Sequence, residues 1–343
     1  MAVKKLRYGI IGAGGCGANK HLASYSKLSN DVEIVAICDI RREVAEYWAN
    51  ALNARAYTDY NAMLKKEKLD LVSVATPNAV HAPATIAALA AGCHVHCEKP
   101  ASLTAELVQS MVDAKNKAKR ILMIGLNNRF TNWASVAREY IASGAVGEIY
   151  HAKCAWKRRR GIPGKGGWFT TKELSGGGPL IDLGVHYIDV TNWLLGFPQP
   201  ERVSGAIYSK FADTVAFNPA ASGYTGTYDV EDMATGLVRY KNDMTLDIEF
   251  SWASNIAAEY TTVEIYGTQG GLCYDSRNAA APLRFFGTIG NTVTDTIPSL
   301  APEGEWGNAE TRYLVDCIRS RKVPHPKAEE AVLVMKSINA LYE

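Results

Sequence analysis

Over the first third of the chain, short apolar runs alternate with longer amphipathic ones. Strand candidates are Leu6–Ile11, Val32–Cys38, Leu69–Ala75, His94–Cys97 and Ile121–Gly125, mostly apolar along their length, as strands buried on both faces are. Between them, Arg42–Leu52, Ala82–Ala91 and Thr104–Lys117 carry helical periodicity, with Gly92 placed as a C-terminal stop. Strands alternating with helices predict a doubly wound parallel sheet, an α/β domain covered on both faces.

The pattern changes after Gly125. A helix is predicted over Ala134–Ser143, ended by Gly144, then a strand over Gly147–Trp156, a basic glycine-rich loop from Lys157 to Gly167, and a helix from Gly178 to Leu195 closed by Gly196. From Val203 to Thr296 strand-like runs follow without intervening helices: Val203–Tyr208, Met233–Tyr240, Met244–Trp252, Thr261–Gly267 and Gly271–Tyr274. These predict an antiparallel sheet. Two last helices fit Glu305–Ser320 and Lys327–Tyr342, on either side of Pro324-His325-Pro326. The expected division is 1–125 as the α/β domain and 126–326 as an α+β domain with a large, mainly antiparallel open sheet. Residues 327–343 form a C-terminal helix expected to pack back on the first domain.

A length of 343 residues suits two domains, and 47% hydrophobic with 21% charged residues gives enough apolar surface for a core without disulfides or metals. Lys+Arg number 37 against 35 Asp+Glu, a net charge of +2, so neither nucleic acid nor an anionic membrane is an expected partner. The seven cysteines are odd in number and irregularly spaced, which points to a reducing compartment. The opening residues do not read as a signal peptide, and no apolar stretch is long enough to span a membrane. A cytoplasmic location is expected.

Candidate chemistry begins with Gly12-Ala13-Gly14-Gly15-Cys16-Gly17, which follows the first strand and opens a helix. One glycine permits the tight turn, one lets backbone N–H groups approach a pyrophosphate, and one allows close helix–strand packing. The helix N-terminus presents unpaired donors to phosphate. Asp39 ends the next strand about twenty residues past Gly17, where a carboxylate accepts from a ribose 2′-hydroxyl and repels a 2′-phosphate. NAD on a Rossmann domain is therefore expected. Arg41 and Arg42, just past the acid, keep NADP as the alternative.

Two further segments stand out. Cys97-Glu98-Lys99-Pro100 follows a strand directly, and ligands of an open parallel sheet bind outside the carboxyl ends of its strands, so Lys99 is expected beside the nicotinamide. In Ser175-Gly176-Gly177-Gly178-Pro179-Leu180-Ile181-Asp182-Leu183-Gly184-Val185-His186, a spacing of four puts Asp182 and His186 on one helix face. Cys93-His94-Val95-His96-Cys97 has the composition of a metal site, but alternation along a strand sends these side chains to opposite faces, and no metal is expected.

Together, the glycine turn, Glu-Lys-Pro, and Ser-Gly-Gly-Gly with Asp-x-x-x-His resemble the glucose–fructose oxidoreductase / inositol dehydrogenase (Gfo/Idh/MocA) family over nearly the whole chain. Thr76-Pro77-Asn78 with His81, and Asn127-Asn128-Arg129-Phe130, match as well. Members commonly carry two arginines before that Phe, and Asn128 takes the place of the first. The resemblance implies an NAD(P)-dependent oxidoreductase moving a hydride between the cofactor and a ring carbinol or ketone of a sugar or cyclic polyol. It implies cofactor contacts from Gly12 to Gly17, from Asp39, Ile40 and Arg41, from Thr76, Pro77, Asn78 and His81, and from Glu98, Lys99 and Asn127. His186 would be the general base, Lys99 would stabilise alkoxide charge, and Asp182 would orient substrate or pair with them. Lys99, Asn128, Asp182 and His186 would touch substrate. Arg158, in the basic run Lys157–Arg160, and Trp168 fall on the loop expected to rim the site and are further substrate candidates. Two other readings are weighed: a non-catalytic cofactor-binding regulator, and a glycosidase using NAD for transient oxidation. A homodimer or homotetramer through the second domain's sheet is expected.

Overall fold

Parallel strands form where the first part of the chain runs apolar, and glycine turns or short helices carry it between them. The computed structural model describes residues 4–164, 166–212, 226–304 and 307–343. In chain order it gives β1 (Leu6–Ile11), a π-helical turn (Gly17–Leu22) running into α1 (Ala23–Ser26), β2 (Val32–Cys38), α2 (Arg42–Ala51), β3 (Arg55–Tyr57), α3 (Tyr60–Lys66), β4 (Leu71–Val74), α4 (Asn78–Ala90), β5 (His94–Cys97), α5 (Ala105–Ala118) and β6 (Leu122–Ile124). Next come α6 (Asn132–Ala142), β7 (Ile149–Lys157), α7 (Lys172–Ser175), a second π-helical turn (Leu180–Gly184) running into α8 (Val185–Leu194), β8 (Pro200–Tyr208), β9 (Met233–Tyr240) and β10 (Thr245–Ser251). The chain ends with β11 (Tyr260–Gly267), β12 (Gly271–Asp275), β13 (Leu283–Ile289), β14 (Thr292–Thr296), α9 (Asn308–Ser320) and α10 (Ala328–Tyr342).

By its internal contacts the chain forms two compact units. One runs to Asn127 and includes Gly304–Val332; the other takes Asn128–Glu303 and Leu333–Glu343. In the first, the strands stand in the order β3-β2-β1-β4-β5-β6, every neighbouring pair parallel. The order reverses between β1 and β4, which opens a crevice at the carboxyl ends of those strands. Tyr8, Ile10, Leu22, Tyr25, Ile37 and Leu71 build the core with Leu314 and Val315 of α9. β3 and α3 were not legible in the sequence, β3 because its three residues, Arg-Ala-Tyr, are not buried and carry no apolar signal. α4 begins at Asn78, ahead of the expected Ala82.

In the second unit the described strands order as β14-β13-β12-β11-β7-β10-β9-β8. All pairs are antiparallel except β7 with β10, which run parallel with Ile248 opposite Cys154. The sheet is thus mainly antiparallel, as expected, with one parallel pair that arises because β7, formed before α8, is inserted between two later strands. Burial along β10 alternates, with Leu246, Ile248 and Phe250 inside, because the π-turn before α8 packs on that face. Glu305, where the penultimate helix was expected to open, and Lys165 of the basic loop lie outside the described residues, as do 213–225 of the strand-rich stretch. No helix among the described residues is long and apolar enough to cross a membrane.

Candidate active site

In the first unit the carboxyl ends of β1, β2, β4 and β5 carry the cofactor candidates. Gly12 has φ +91°, and a Cβ there would overlap the Ala75 carbonyl. A Cβ on Gly17 would overlap the Gly12 carbonyl, so this glycine closes the turn. At Gly15, by contrast, a Cβ would meet nothing within 4 Å. Two glycines thus pack the turn and one leaves its outer side open, the combination a pyrophosphate needs. Asp39 is 7% exposed at the end of β2. Its Oδ2 accepts from Ala13 N–H at 3.0 Å, and its Oδ1 accepts from Arg41 N–H at 3.0 Å and from Arg41 Nε at 3.2 Å. The Arg41 side chain is half exposed and makes the longer of these bonds, so it is the partner a ribose hydroxyl would replace. Ile40 stands largely in solvent.

Thr76, Pro77 and Asn78 form the loop into α4, with Pro77 as its N-cap and Asn78 buried. His81 is buried and places Nδ1 2.7 Å from Pro100 O and Nε2 2.9 Å from Thr76 O. It therefore braces the loop after β4 against the loop after β5, and burial pushes its pKa down. Its imidazole is a brace rather than a surface open to a ligand. Glu98 differs from expectation in the same sense: its carboxylate turns inward, Oε1 lying 2.7 Å from Lys20 Nζ and 2.8 Å from His21 Nε2. Lys99, half-buried, follows directly at the carboxyl end of β5.

In the second unit the Gly-Gly-Gly segment has a structural explanation. Gly176 ends α7 at φ +85°, a Cβ on Gly177 would overlap the Tyr342 hydroxyl, and one on Gly178 would overlap the Glu231 carbonyl. The buried Glu231 carboxylate accepts from Gly178 N–H at 2.8 Å, from Leu180 N–H at 3.0 Å and from the Tyr342 hydroxyl at 2.9 Å. It thereby accepts from the first N–H of the helix that carries Asp182 and His186 and from the N–H just ahead of its N-cap. Asp182 falls inside the π-turn and His186 after it, so their spacing of four is not one turn of a regular α-helix. Asp182 is buried and its Oδ2 accepts from Trp252 Nε1 at 2.9 Å. His186 is half-buried, its ring 5.9 Å from that of Trp156. Arg158 stacks over Trp156 at 4.8 Å and donates to Gly161 O at 3.2 Å. Trp168 sits in a 3-10 turn, stacked on Phe169 at 3.8 Å. Asn127 and Asn128 open the 3-10 turn Asn127–Phe130 and are half-buried. Arg129 in that turn is fully buried, with Nε and Nη2 at 2.8 and 2.6 Å from the two Asp189 oxygens, a bidentate pair that fixes the turn to α8.

Both units resemble known proteins. A family description reading "Oxidoreductase family, NAD-binding Rossmann fold" matches residues 6–126, and one for the GFO/IDH/MocA C-terminal domain matches residues 135–273. D-glucoside 3-dehydrogenase of Escherichia coli (strain K12) is 40% identical over 257 residues, 75% of this chain and 73% of that protein. The chain belongs to the Gfo/Idh/MocA oxidoreductase family. Levoglucosan dehydrogenase of Pseudarthrobacter phenanthrenivorans is 28% identical over 80% of this chain and 74% of its own. A solved levoglucosan dehydrogenase in complex with NADH shares the fold, with a TM-score of 0.85 at 22% identity, covering 99% of this chain and 96% of the other.

The first unit of this Gfo/Idh/MocA protein is thus an NAD-binding Rossmann domain. Lys20, Trp156, Glu231 and Trp252 were missed in the sequence. A lone Glu or Lys far from its partner leaves no periodic signal, and a Trp on a strand reads as core. The metal-like run around β5 separates as alternation requires. His94 Nδ1 accepts from Ile121 N–H at 3.0 Å, His96 Nδ1 lies 3.1 Å from the Tyr25 hydroxyl, and the Cys93 thiol donates to Leu69 O at 3.4 Å. A cavity of about 500 Å³ at the amino ends of β5 and β6 is lined by cations such as Lys119 and Arg321 at the C-terminal ends of α5 and α9. These cations offset the helix dipoles, and we assign the cavity no ligand.

Proposed function

We propose that this protein is an NAD-dependent sugar dehydrogenase that oxidises a ring carbinol of a glucoside-type substrate. The observation that carries the reading is the layout of the first unit. Asp39, the glycine turn, the Thr76 loop and Lys99 follow β2, β1, β4 and β5 at the same end of one parallel sheet, on both sides of the point where the strand order reverses. Along that edge Asp39 would hold the ribose of a bound dinucleotide and Lys99 would lie on the nicotinamide side. The identity to D-glucoside 3-dehydrogenase supports the sugar class.

Bound NAD supplies the hydride acceptor. In the proposed division of work, His186 takes the hydroxyl proton, since an imidazole, with an ordinary pKa of about 6.5, is suited to serve as base near neutral pH. Lys99 donates to the same oxygen and stabilises alkoxide charge as it develops. Asp182, fixed by Trp252, orients the substrate hydroxyls. Arg158, Trp156, Trp168 and Asn128 are the proposed walls of the sugar site. The protein is proposed to be cytoplasmic, which its seven free cysteines support. It is also proposed to form a homodimer or tetramer through the second sheet, where Tyr208 and Leu237 expose apolar surface on the face opposite Leu246, Ile248 and Phe250. Sedimentation showing only monomer at micromolar concentration removes the assembly.

The test of function is purified protein with NAD or NADP and a panel of glucosides, free sugars and inositols, read by absorbance of the reduced cofactor. Net reduction with a glucoside supports the reading. Sugar release without reduced cofactor supports the glycosidase instead, and cofactor binding without turnover of any substrate supports the regulator. Lys99→Met is expected to lower kcat by about a hundredfold or more and leave NAD affinity nearly intact. Turnover within about tenfold of the parent would refute the role of Lys99.

A further inference from the structure

Lys20 lies on the π-helical turn behind the glycine loop, yet its ammonium is 1% exposed. Nζ stands 2.7 Å from Glu98 Oε1 and 2.7 Å from Glu310 Oε2, and both carboxylates are buried as well. The widened turn explains how neighbours in sequence share a target, since His21 Nε2 reaches the same Glu98 oxygen at 2.8 Å. His21 Nδ1 meets Ser73 Oγ of β4 at 2.9 Å, and Glu310 of α9 lies 3.5 Å from His96 Nε2 of β5. The cluster therefore fastens together the segments after β1, in β4 and after β5, with α9 behind them.

Burial alone would lower the Lys20 pKa, but Glu310 and Glu98 outweigh it and hold the ammonium charged, while Lys20 keeps Glu98 well below the usual carboxylate range. Buried ion pairs roughly break even against an apolar core of the same shape, so stability gives a weak reason for this one. Its placement gives a stronger one. The other Glu98 oxygen, Oε2, accepts from the backbone N–H of Lys99 at 3.3 Å. Ligand atoms of Cys16, His21 and Glu98 lie within 4.8 Å of one another, as in a cation site. The Lys20 ammonium already supplies the positive charge at that carboxylate, so a metal has no electrostatic reason to bind.

We propose that Lys20, through Glu98, is a positioning residue that holds Lys99 in register with the cofactor turn. The inference rests on the catalytic reading of Lys99 and deepens it. The ammonium sets the Glu98 carboxylate, the carboxylate sets the Lys99 backbone, and Glu310 is the second anchor of the ammonium.

The experiment compares four proteins: the parent, Lys20→Met/Glu98→Gln, Lys99→Met, and the combination of all three changes. Replacing Lys20 and Glu98 together removes one charge of each sign and leaves the buried net charge unchanged. Turnover is followed with NAD and methyl α-D-glucopyranoside, NAD affinity by fluorescence of the bound reduced cofactor, and fold by circular dichroism. The double variant is expected to lose about thirtyfold in kcat with KM for the glucoside and NAD affinity within about threefold of the parent. In the Lys99→Met background the same change should cost less than about threefold, because its route to the reaction is already gone. A purely structural role would give equal losses in both backgrounds, and that result overturns the proposal, as does a parent-like kcat in the double variant. If Lys99→Met itself keeps near-parental turnover, the catalytic reading of Lys99 fails and the positioning role falls with it. Should the double variant not fold, Glu98→Asp keeps every charge but draws the carboxylate back by one methylene. It is expected to lower kcat about fivefold at unchanged KM in the parent and not in Lys99→Met, and equal effects in both overturn the proposal.

Discussion

The indole N–H of Trp252 donates to Asp182 Oδ2 across 2.9 Å, and the indole is completely buried. Trp252 follows β10 directly, and its own backbone N–H donates to Asp232 O at 3.0 Å, so its ring position is set by the sheet. A carboxylate that enters from the helix side is thus held by the strand side. This is the arrangement expected of a group that must keep its direction when substrate hydroxyls come and go.

Trp252→Phe keeps most of the ring volume and removes the donor. Unfolding free energy should fall by about 1–3 kcal/mol, the range for a hydrogen bond to a buried charged group. KM for the sugar should rise more than kcat falls, because Asp182 loses orientation and not chemistry. Urea denaturation and initial-rate kinetics on the same preparation check both halves, and unchanged KM would remove Asp182 from substrate orientation.

Glu231 holds the entrance of the helix that bears Asp182 and His186. Glu231→Gln turns an amide donor toward N–H groups that need acceptors, and should destabilise by about 1–3 kcal/mol. Tyr342→Phe removes one of three donors and should cost about 1 kcal/mol, with a smaller loss of turnover. Thermal denaturation of the two variants beside the parent tests the ranking, and the reverse order would show that the Tyr342 hydroxyl contributes more than the charge on the Glu231 cap.

Much of this was legible in the sequence, for reasons that particular residues make clear. β1, β2 and β5 fall at the predicted residues because each is a short run closed by a turn or a charged residue. Asp39 was found because its distance from the glycines is fixed by the βαβ unit itself. Lys20 with Glu98, 78 residues apart, and Gly178 with Glu231, 53 residues apart, left no trace, since a pairing across the fold has no period to read. The π-turns were missed for a related reason. A spacing of four reads as α-helix, whereas the turn around Asp182 is widened to a π-helix. The parallel pairing of β7 with β10 depends on which strand is inserted where, and hydrophobic pattern does not encode that.

On the proposed placement of the ribose, cofactor choice would turn on the Asp39 carboxylate beside Arg41. Its two oxygens gather Ala13 N–H and the Arg41 backbone and guanidinium, and the guanidinium is the exchangeable partner. Asp39→Ser removes the repulsion of a 2′-phosphate and frees Arg41 to meet one. The ratio of kcat/KM for NAD over NADP should fall by about a hundredfold, roughly the worth of one buried charged hydrogen bond. Parallel kinetics with the two cofactors test this, and a ratio unchanged from the parent would place the ribose elsewhere.

Acid should destabilise the first unit through His21. The imidazole is fully buried, Nε2 facing Glu98 and Nδ1 facing Ser73, with Lys20 bonded to the same carboxylate and the His96 ring at 4.6 Å. Burial pushes its pKa down to about 4, with His96 and Lys20 acting in the same sense and Glu98 against them. In the unfolded chain the same group titrates at about 6.5. Above that pH both states are neutral there, and this residue adds no pH dependence to stability. As pH falls from about 6.5 toward 4, the unfolded chain binds a proton that the folded chain refuses, so stability drops by up to about 1.4 kcal/mol per pH unit. His94, also lowered to about 4 by burial, adds to the slope in the same window. The depressed carboxyl of Glu98 acts later, its contribution being present above the unfolded carboxyl pKa of about 4.3 and lost only as pH falls below that. Urea unfolding at a series of pH values between about 7.5 and 5 should therefore be flat at the upper end and then fall, and His21→Asn should remove about 1 kcal/mol per pH unit of that fall. Equal slopes in parent and variant would mean that the imidazole is protonated inside the fold, in which case Glu98 shares its charge between two cations and Lys20 no longer holds it alone.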